Sequence, residues 1–203
     1  MRSGFIGRGL LVAGIDEVGR GCLVGPVVAA VVVLGPDSGI EGLADSKTLT
    51  AHQRQILAVQ IKERALGWAV GRAEAGEIDR INILQASLLA MKRAFTALAA
   101  HTEWVRVDGT HYPDIPCHGE TVVKGDSKVA EISAASILAK VARDREMELL
   151  DYLCPGYSFA AHKGYPTQLH LACLRKLGVT RWHRKSYGPV RSRLRAVDTG
   201  FSS

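Results

Sequence analysis

The chain has 203 residues, 47% of them apolar and 6% aromatic, with a formal net charge of +6. That is material for one domain with its own core. It excludes a membrane-spanning helix: the longest uninterrupted apolar run is Val27 to Leu34, far below the roughly 18 residues a span needs. The first residues, MRSGFIGRGL, lack the apolar stretch of a signal peptide, so a cytoplasmic protein is expected. Cys22, Cys117, Cys154 and Cys173 are scattered without a C-x-x-C pair, which argues against zinc and for free thiols.

Residues 10–16 and 26–34 read as two strands joined by a glycine-rich turn. The first is uncharged as far as Ile15, and the second is rich in Val, so burial on both faces is expected. Thr50-x-x-Gln53 is a capping-box pattern, opening a helix to about Ala65, and Gly67 to Ala73 reads as another strand. Leu84, Leu88, Met91, Phe95 and Leu98 recur at spacings of four and three, the stripe of a helix facing a core. Glu103 to Asp108 is a short strand and Thr121 to Lys124 a weaker one. A long helix is expected from Ser127 to about Leu153, buried in its middle, and a last one over 166–177 with Pro166 in its first turn. The pattern predicts a mixed α/β domain, a central sheet covered by helices.

Asp16 and Glu17 end an apolar strand, where carboxylates are costly unless a cation or a basic partner compensates them. Asp108 ends the EWVRVD strand in the same way, and Asp126 follows a third short strand. If these strand ends meet, the four acids form an all-oxygen site of the kind that hard divalent cations prefer. Each acid also has a structural alternative. Asp126 precedes a helix and could cap it. Asp108 precedes Gly109 and could serve a turn. Glu17 should point away from Asp16 in a regular strand, so it must sit at a bend or act through its carbonyl or a water. Gly19-Arg20-Gly21 fits neither a dinucleotide fingerprint nor a P-loop. It is either a tight strand-to-strand turn or a place where backbone approaches a ligand and Arg20 meets phosphate.

Residues 175–195 carry eight cations, Arg175, Lys176, Arg181, Arg184, Lys185, Arg191, Arg193 and Arg195, with no acid and with Trp182, His183 and Tyr187 interleaved. This suits a polyphosphate surface, the alternative being a solvated basic tail. His162, His170 and His183 have no partnered nucleophile motif, so packing or phosphate contact is expected of them. No G-x-S-x-G is present.

GIDEVGRG at 14–21, DSK at 45–47, DG at 108–109, KGDSK at 124–128, EISAASILAKVARD at 131–144, HKGYPT at 162–167 and RWHRKSYGPV at 181–190 together resemble bacterial ribonuclease HII. The resemblance spans roughly residues 10–190, with the motifs in order. It implies a ribonuclease H-like fold, a central mixed sheet flanked by helices. Residues 1–203 would be one catalytic domain, with about 166–203 as a helical, basic extension. It implies cleavage of RNA in RNA–DNA hybrids and at single ribonucleotides in duplex DNA, with two divalent ions, Mg2+ or Mn2+. Catalytic, metal-holding roles fall on Asp16, Glu17, Asp108 and Asp126. Gly19, Arg20 and Gly21 would sense the ribose 2′-hydroxyl, Tyr165 would press on the neighbouring sugar, and Lys47 would contact phosphate. Cys22 departs from the small residue or proline more usual after GRG. A monomer is expected. A non-catalytic binding module would not need all four acids, and a DNA nuclease of the same fold would not need a 2′-hydroxyl sensor.

Overall fold

The computed structural model describes residues 10–36, 38–43, 46 and 48–199, the last three as backbone only. Five strands, β1 (Val12–Val18), β2 (Val27–Val33), β3 (Gly67–Ala73), β4 (Trp104–Asp108) and β5 (Gly119–Val122), form one sheet in the order β3-β2-β1-β4-β5. β1 pairs antiparallel with β2 and parallel with β4, so the sheet is mixed. The helices are α1 (Ala51–Arg64), α2 (Ala75–Ala97), α3 (Ala130–Leu153), α4 (Phe159–His162), α5 (Gln168–Leu177) and α6 (Gly188–Thr199). No described helix is long and apolar enough to cross a membrane.

Alternation along β2 explains its unbroken apolar run. Val27, Ala29, Val31 and Val33 pack with α2, while Ala30 and Val32 pack with α1 and α3 on the other face. All seven residues of β2 are buried. Ile132 to Ala139 of α3 are buried all round, as the apolar middle of that helix predicts.

Several boundaries differ from expectation. The stripe in α2 is displaced: Ala86, Ala90, Met91 and Ala94 meet the sheet, and the larger residues flank them. The small side chains allow the close approach. Asn82, in the left-handed region at φ 64°, breaks α2 and accepts from the Leu84 and Gln85 amides, recapping the helix where the stripe begins. β5 lies two residues earlier than expected. Pro166 precedes α5 instead of opening it, because Thr167 is the cap and accepts from the His170 amide. The long helix starts at Ala130. Before it, Lys124 is left-handed at φ 56° and Gly125–Ser127 form a separate 3-10 turn, so Asp126 is not the helix cap. The tail past Gly188 is helical, forming α6.

The loop 19–26 between β1 and β2 is not a tight turn. Leu23 packs with Leu174 and Val190, and Val24 packs with Met147, Leu150 and Phe159. Two small C-terminal clusters therefore close over this loop.

Candidate active site

Helix α3 meets β1 at Gly14, where a Cβ would overlap the Glu131–Ile132 backbone. Asp16, two residues on, shares that face and points at α3. The β1/β4 register runs to Ile15 against Val107, and its next step sets Asp16 beside Asp108. β1 continues past this point to Val18 without a bend. Both Asp16 and Glu17 nevertheless open on one cavity, of about 200 Å³, where β1 runs on beyond its pairing with β4. Asp108 and Tyr165 line it too, with Ser46, Ser136 and Lys140.

Asp126 is buried at 5% exposure, but it does not line this cavity. It is linked to it through its neighbour: the Gly125 amide donates to Asp108 Oδ1 at 2.6 Å. The Ser133 hydroxyl ties the Asp126 carbonyl to α3.

Burial holds the Asp16 carboxyl well above the usual range, and the charges of Glu17 and Asp108 add to this; the Ser136 hydroxyl offsets part. Burial also raises Glu17, opposed by Arg20, whose Nη1 lies 3.2 Å from Glu17 Oε1. Glu17 Oε2 is buried without a hydrogen-bond partner among the described residues. An orphaned carboxylate oxygen beside the buried Asp16 carboxylate, with Asp108 on the same cavity, fits a hard divalent cation. Among the described residues no three His, Cys, Asp or Glu side chains are gathered into a group able to hold an ion.

The Gly19-Arg20-Gly21 segment starts directly beyond β1. Gly19 has φ +92° and rests on the Arg143 guanidinium, leaving no room for a side chain. Gly21 is exposed, with open space around it. Tyr165 stands at the cavity rim, 41% exposed. Cys22 is fully buried behind it, its thiol donating to the Lys163 carbonyl at 3.6 Å. Lys47 lies outside the described residues.

Ser46, Ser136 and Lys140 were not singled out from the sequence. Ser46 and Ser136 hydroxyls are 2.8 Å apart, and Lys140 Nζ donates to Asp144 Oδ1 at 2.6 Å. The available signal was the spacing: Ser136, Lys140 and Asp144 recur every four residues on one side of α3.

The basic segment is only partly a phosphate surface. Arg175, Lys176, Arg181, Lys185, Arg191 and Arg195 are exposed, but Arg184 is fully buried and donates to backbone carbonyls. His162, His170 and His183 are buried against Phe159, a packing role that removes them from phosphate contact.

A family model described as Ribonuclease HII matches residues 13–190. The ribonuclease HII of Methylococcus capsulatus (strain ATCC 33009 / NCIMB 11132 / Bath) is 59% identical over 182 residues, 90% of this chain and 94% of that protein. The crystal structure of ribonuclease H2 from Pyrococcus horikoshii OT3 superposes with a TM-score of 0.76 at 26% identity, covering 93% of this chain and 99% of that one. Bst-RNase HIII, solved in complex with Mn2+, shares the fold at a TM-score of 0.71 and 21% identity, over 94% of this chain and 71% of that one. The mixed five-stranded sheet with flanking helices is thus the ribonuclease H-like fold. With the match running from β1 through the C-terminal motif, the chain belongs to the ribonuclease HII family, enzymes that cleave the RNA of RNA–DNA hybrids.

Proposed function

We propose that this ribonuclease also cuts at single ribonucleotides embedded in duplex DNA, leaving 5′-phosphate and 3′-hydroxyl ends. The observation that carries the reading is the cavity shared by Asp16, Glu17, Asp108 and Tyr165, with the Gly19-Arg20-Gly21 segment, exposed at Arg20 and Gly21, starting directly beyond β1. In this reading Asp16, Glu17, Asp108 and Asp126 hold two divalent ions, Mg2+ or Mn2+. When bound, such ions supply Lewis-acid charge and lower the pKa of a bound water.

The chain's own groups do the rest. Burial raises Asp16 and Glu17, so a bound cation that favours their charged forms displaces protons, which couples binding to pH. The backbone of Gly19, Arg20 and Gly21 meets the 2′-hydroxyl, the group that separates RNA from DNA. Tyr165 presses on the adjoining sugar. Lys47 and the exposed cations of 175–195 hold phosphates, giving salt-dependent binding without base preference. Residues 1–203 act as one catalytic unit, with about 166–203 as its basic extension, in a monomeric cytoplasmic protein.

One gel tests this reading. A duplex with one ribonucleotide is compared with an all-DNA control in Mg2+, Mn2+ and EDTA. Cleavage is expected at the ribonucleotide alone and only with metal. Equal cutting of the all-DNA duplex, or full cutting in EDTA, overturns it.

A further inference from the structure

The loop that carries Gly19-Arg20-Gly21 is held from behind by two buried arginines. Arg184 donates from Nε to the Gly25 carbonyl at 2.9 Å and from Nη2 to the Pro26 carbonyl at 3.0 Å. Its Nη1 reaches the Arg20 carbonyl at 2.9 Å and the Tyr187 hydroxyl at 3.1 Å. Tyr187 donates to the same Arg20 carbonyl at 2.5 Å. Arg143 takes the Pro26 carbonyl from its other side at 2.5 Å and the Val24 carbonyl at 3.1 Å. Neither arginine is in a salt bridge among the described residues. Burying a guanidinium on neutral acceptors without a carboxylate partner is costly, so such an arrangement needs a use.

The peptide geometry supplies one. In a planar trans peptide the carbonyl of one residue and the amide of the next point in opposite directions. With the Arg20 carbonyl drawn inward by two donors, the Gly21 N–H is turned outward. Gly21 is exposed, with open space where a side chain would be. An outward N–H at that place is free to donate to an incoming hydroxyl oxygen.

We infer that Arg184 and Tyr187 are positioning residues for ribonucleotide selection: by gripping the Arg20 carbonyl they aim the Gly21 amide at the ribose 2′-oxygen. The inference rests on the reading that Gly19-Arg20-Gly21 meets the ribose. Neither residue touches substrate. Their effect is on the choice between ribose and deoxyribose, not on affinity for duplex in general.

The test is a ratio measured on the full chain under cleaving conditions. The inhibition constant of an all-DNA duplex is divided by the KM for the same duplex with one ribonucleotide. Tyr187→Phe removes one of the two donors with almost no change in volume. It is expected to lower the ratio roughly fivefold, the worth of one hydrogen bond, while the all-DNA inhibition constant stays the same and Tm falls only slightly. Arg184→Lys is expected to lower the ratio further, with some loss of Tm. A purely structural role would shift Tm, or both duplexes alike, and leave the ratio unchanged. An unchanged ratio in folded Tyr187→Phe overturns the inference whether or not Arg184→Lys folds. If the unaltered protein shows no preference for the ribonucleotide duplex, the ribose-reading function falls and the inference with it.

Discussion

The Gly125 amide donates to Asp108 Oδ1 at 2.6 Å, so the turn carrying Asp126 is anchored on the carboxylate that ends β4. One acid of the proposed site thereby places the segment of another. A charge-assisted bond of this kind is stronger than a neutral one. It gives Asp108 a structural task separable from the chemical one proposed for it. Asp108→Asn keeps an acceptor oxygen and should fold with little loss of stability, yet cut no hybrid. Asp108→Ala should be equally inactive and also lose about 1–3 kcal/mol. Denaturant unfolding of the two variants checks this; equal stabilities would show that the Gly125 contact carries no weight.

Asp16→Asn should reduce cleavage at least roughly a thousandfold while hybrid binding survives. Its stability effect has the opposite sign. A carboxyl whose folded pKa lies above its unfolded value favours folding below the ordinary carboxylate range, and that contribution is lost as pH rises through the raised value. At neutral pH, without metal, Asp16 therefore costs stability. In EDTA at pH 7 the variant should melt higher than the unaltered protein, and the difference should vanish near pH 4. Full activity in Asp16→Asn would remove it from the proposed metal site.

The pairing of Asp16 with Asp108 was legible because acids ending uncharged strands have few structural uses, and parallel neighbours bring such ends together. The strands of the hairpin were legible from their apolar runs. What escaped depends on tertiary contact. Nothing local distinguishes buried Arg184 from exposed Lys185 beside it; only the closing of α5 and α6 over the 19–26 loop does. Asp126 reads as a cap because a helix follows, but the left-handed Lys124 and the Asp108 bond make a separate turn. Glu17 was expected to face away, and it would if the sheet continued beyond it. β1 outruns β4, so both sides of its end reach one cavity.

Gly14→Ala tests how closely α3 must sit on β1. Its Cβ would meet backbone atoms of Glu131 and Ile132, which cannot rotate aside. The expected cost is about 3 kcal/mol, toward the upper part of the overpacking range. Cleavage should fall too, since α3 carries Ser136 and Lys140 to the cavity. Gly21→Ala, in open space at an ordinary φ, is the stability control and should leave Tm unchanged. Equal Tm values for both variants would contradict the close packing.

The buried histidines predict an acid-sensitive fold. His170 Nδ1 must donate to the Tyr165 carbonyl at 2.9 Å, so its Nε2 accepts from His183 Nε2 at 3.3 Å. His183 Nδ1 in turn accepts from the Thr180 amide at 3.0 Å. Both rings are therefore neutral, and burial lowers each pKa to about 4. A histidine depressed in the folded state contributes stability above its unfolded value of about 6.5, which is lost as pH falls toward 4. Stability should drop between these values by about 3 kcal/mol per histidine. His170→Asn should flatten that slope in denaturant unfolding at pH 4 to 7. An unaltered slope would assign the acid loss to other groups.

The same network bears on substrate, because His170 holds the Tyr165 carbonyl while the Tyr165 ring stands at the cavity rim. The ring is 41% exposed. Contact with a sugar or base would cover it. Aromatic contacts with nucleotides are worth about 1–3 kcal/mol, so Tyr165→Ala should reduce cleavage at a single embedded ribonucleotide by roughly tenfold to a hundredfold. Tyr165→Phe keeps the ring and should retain most of the activity. The hydroxyl, its pKa raised by burial, keeps its proton at neutral pH and supplies no phenolate. Steady-state cleavage of the single-ribonucleotide duplex by both variants decides the matter. Unchanged rates for Tyr165→Ala would leave the ring without a role in the reaction, and equal losses in both variants would move the role from the ring face to the hydroxyl.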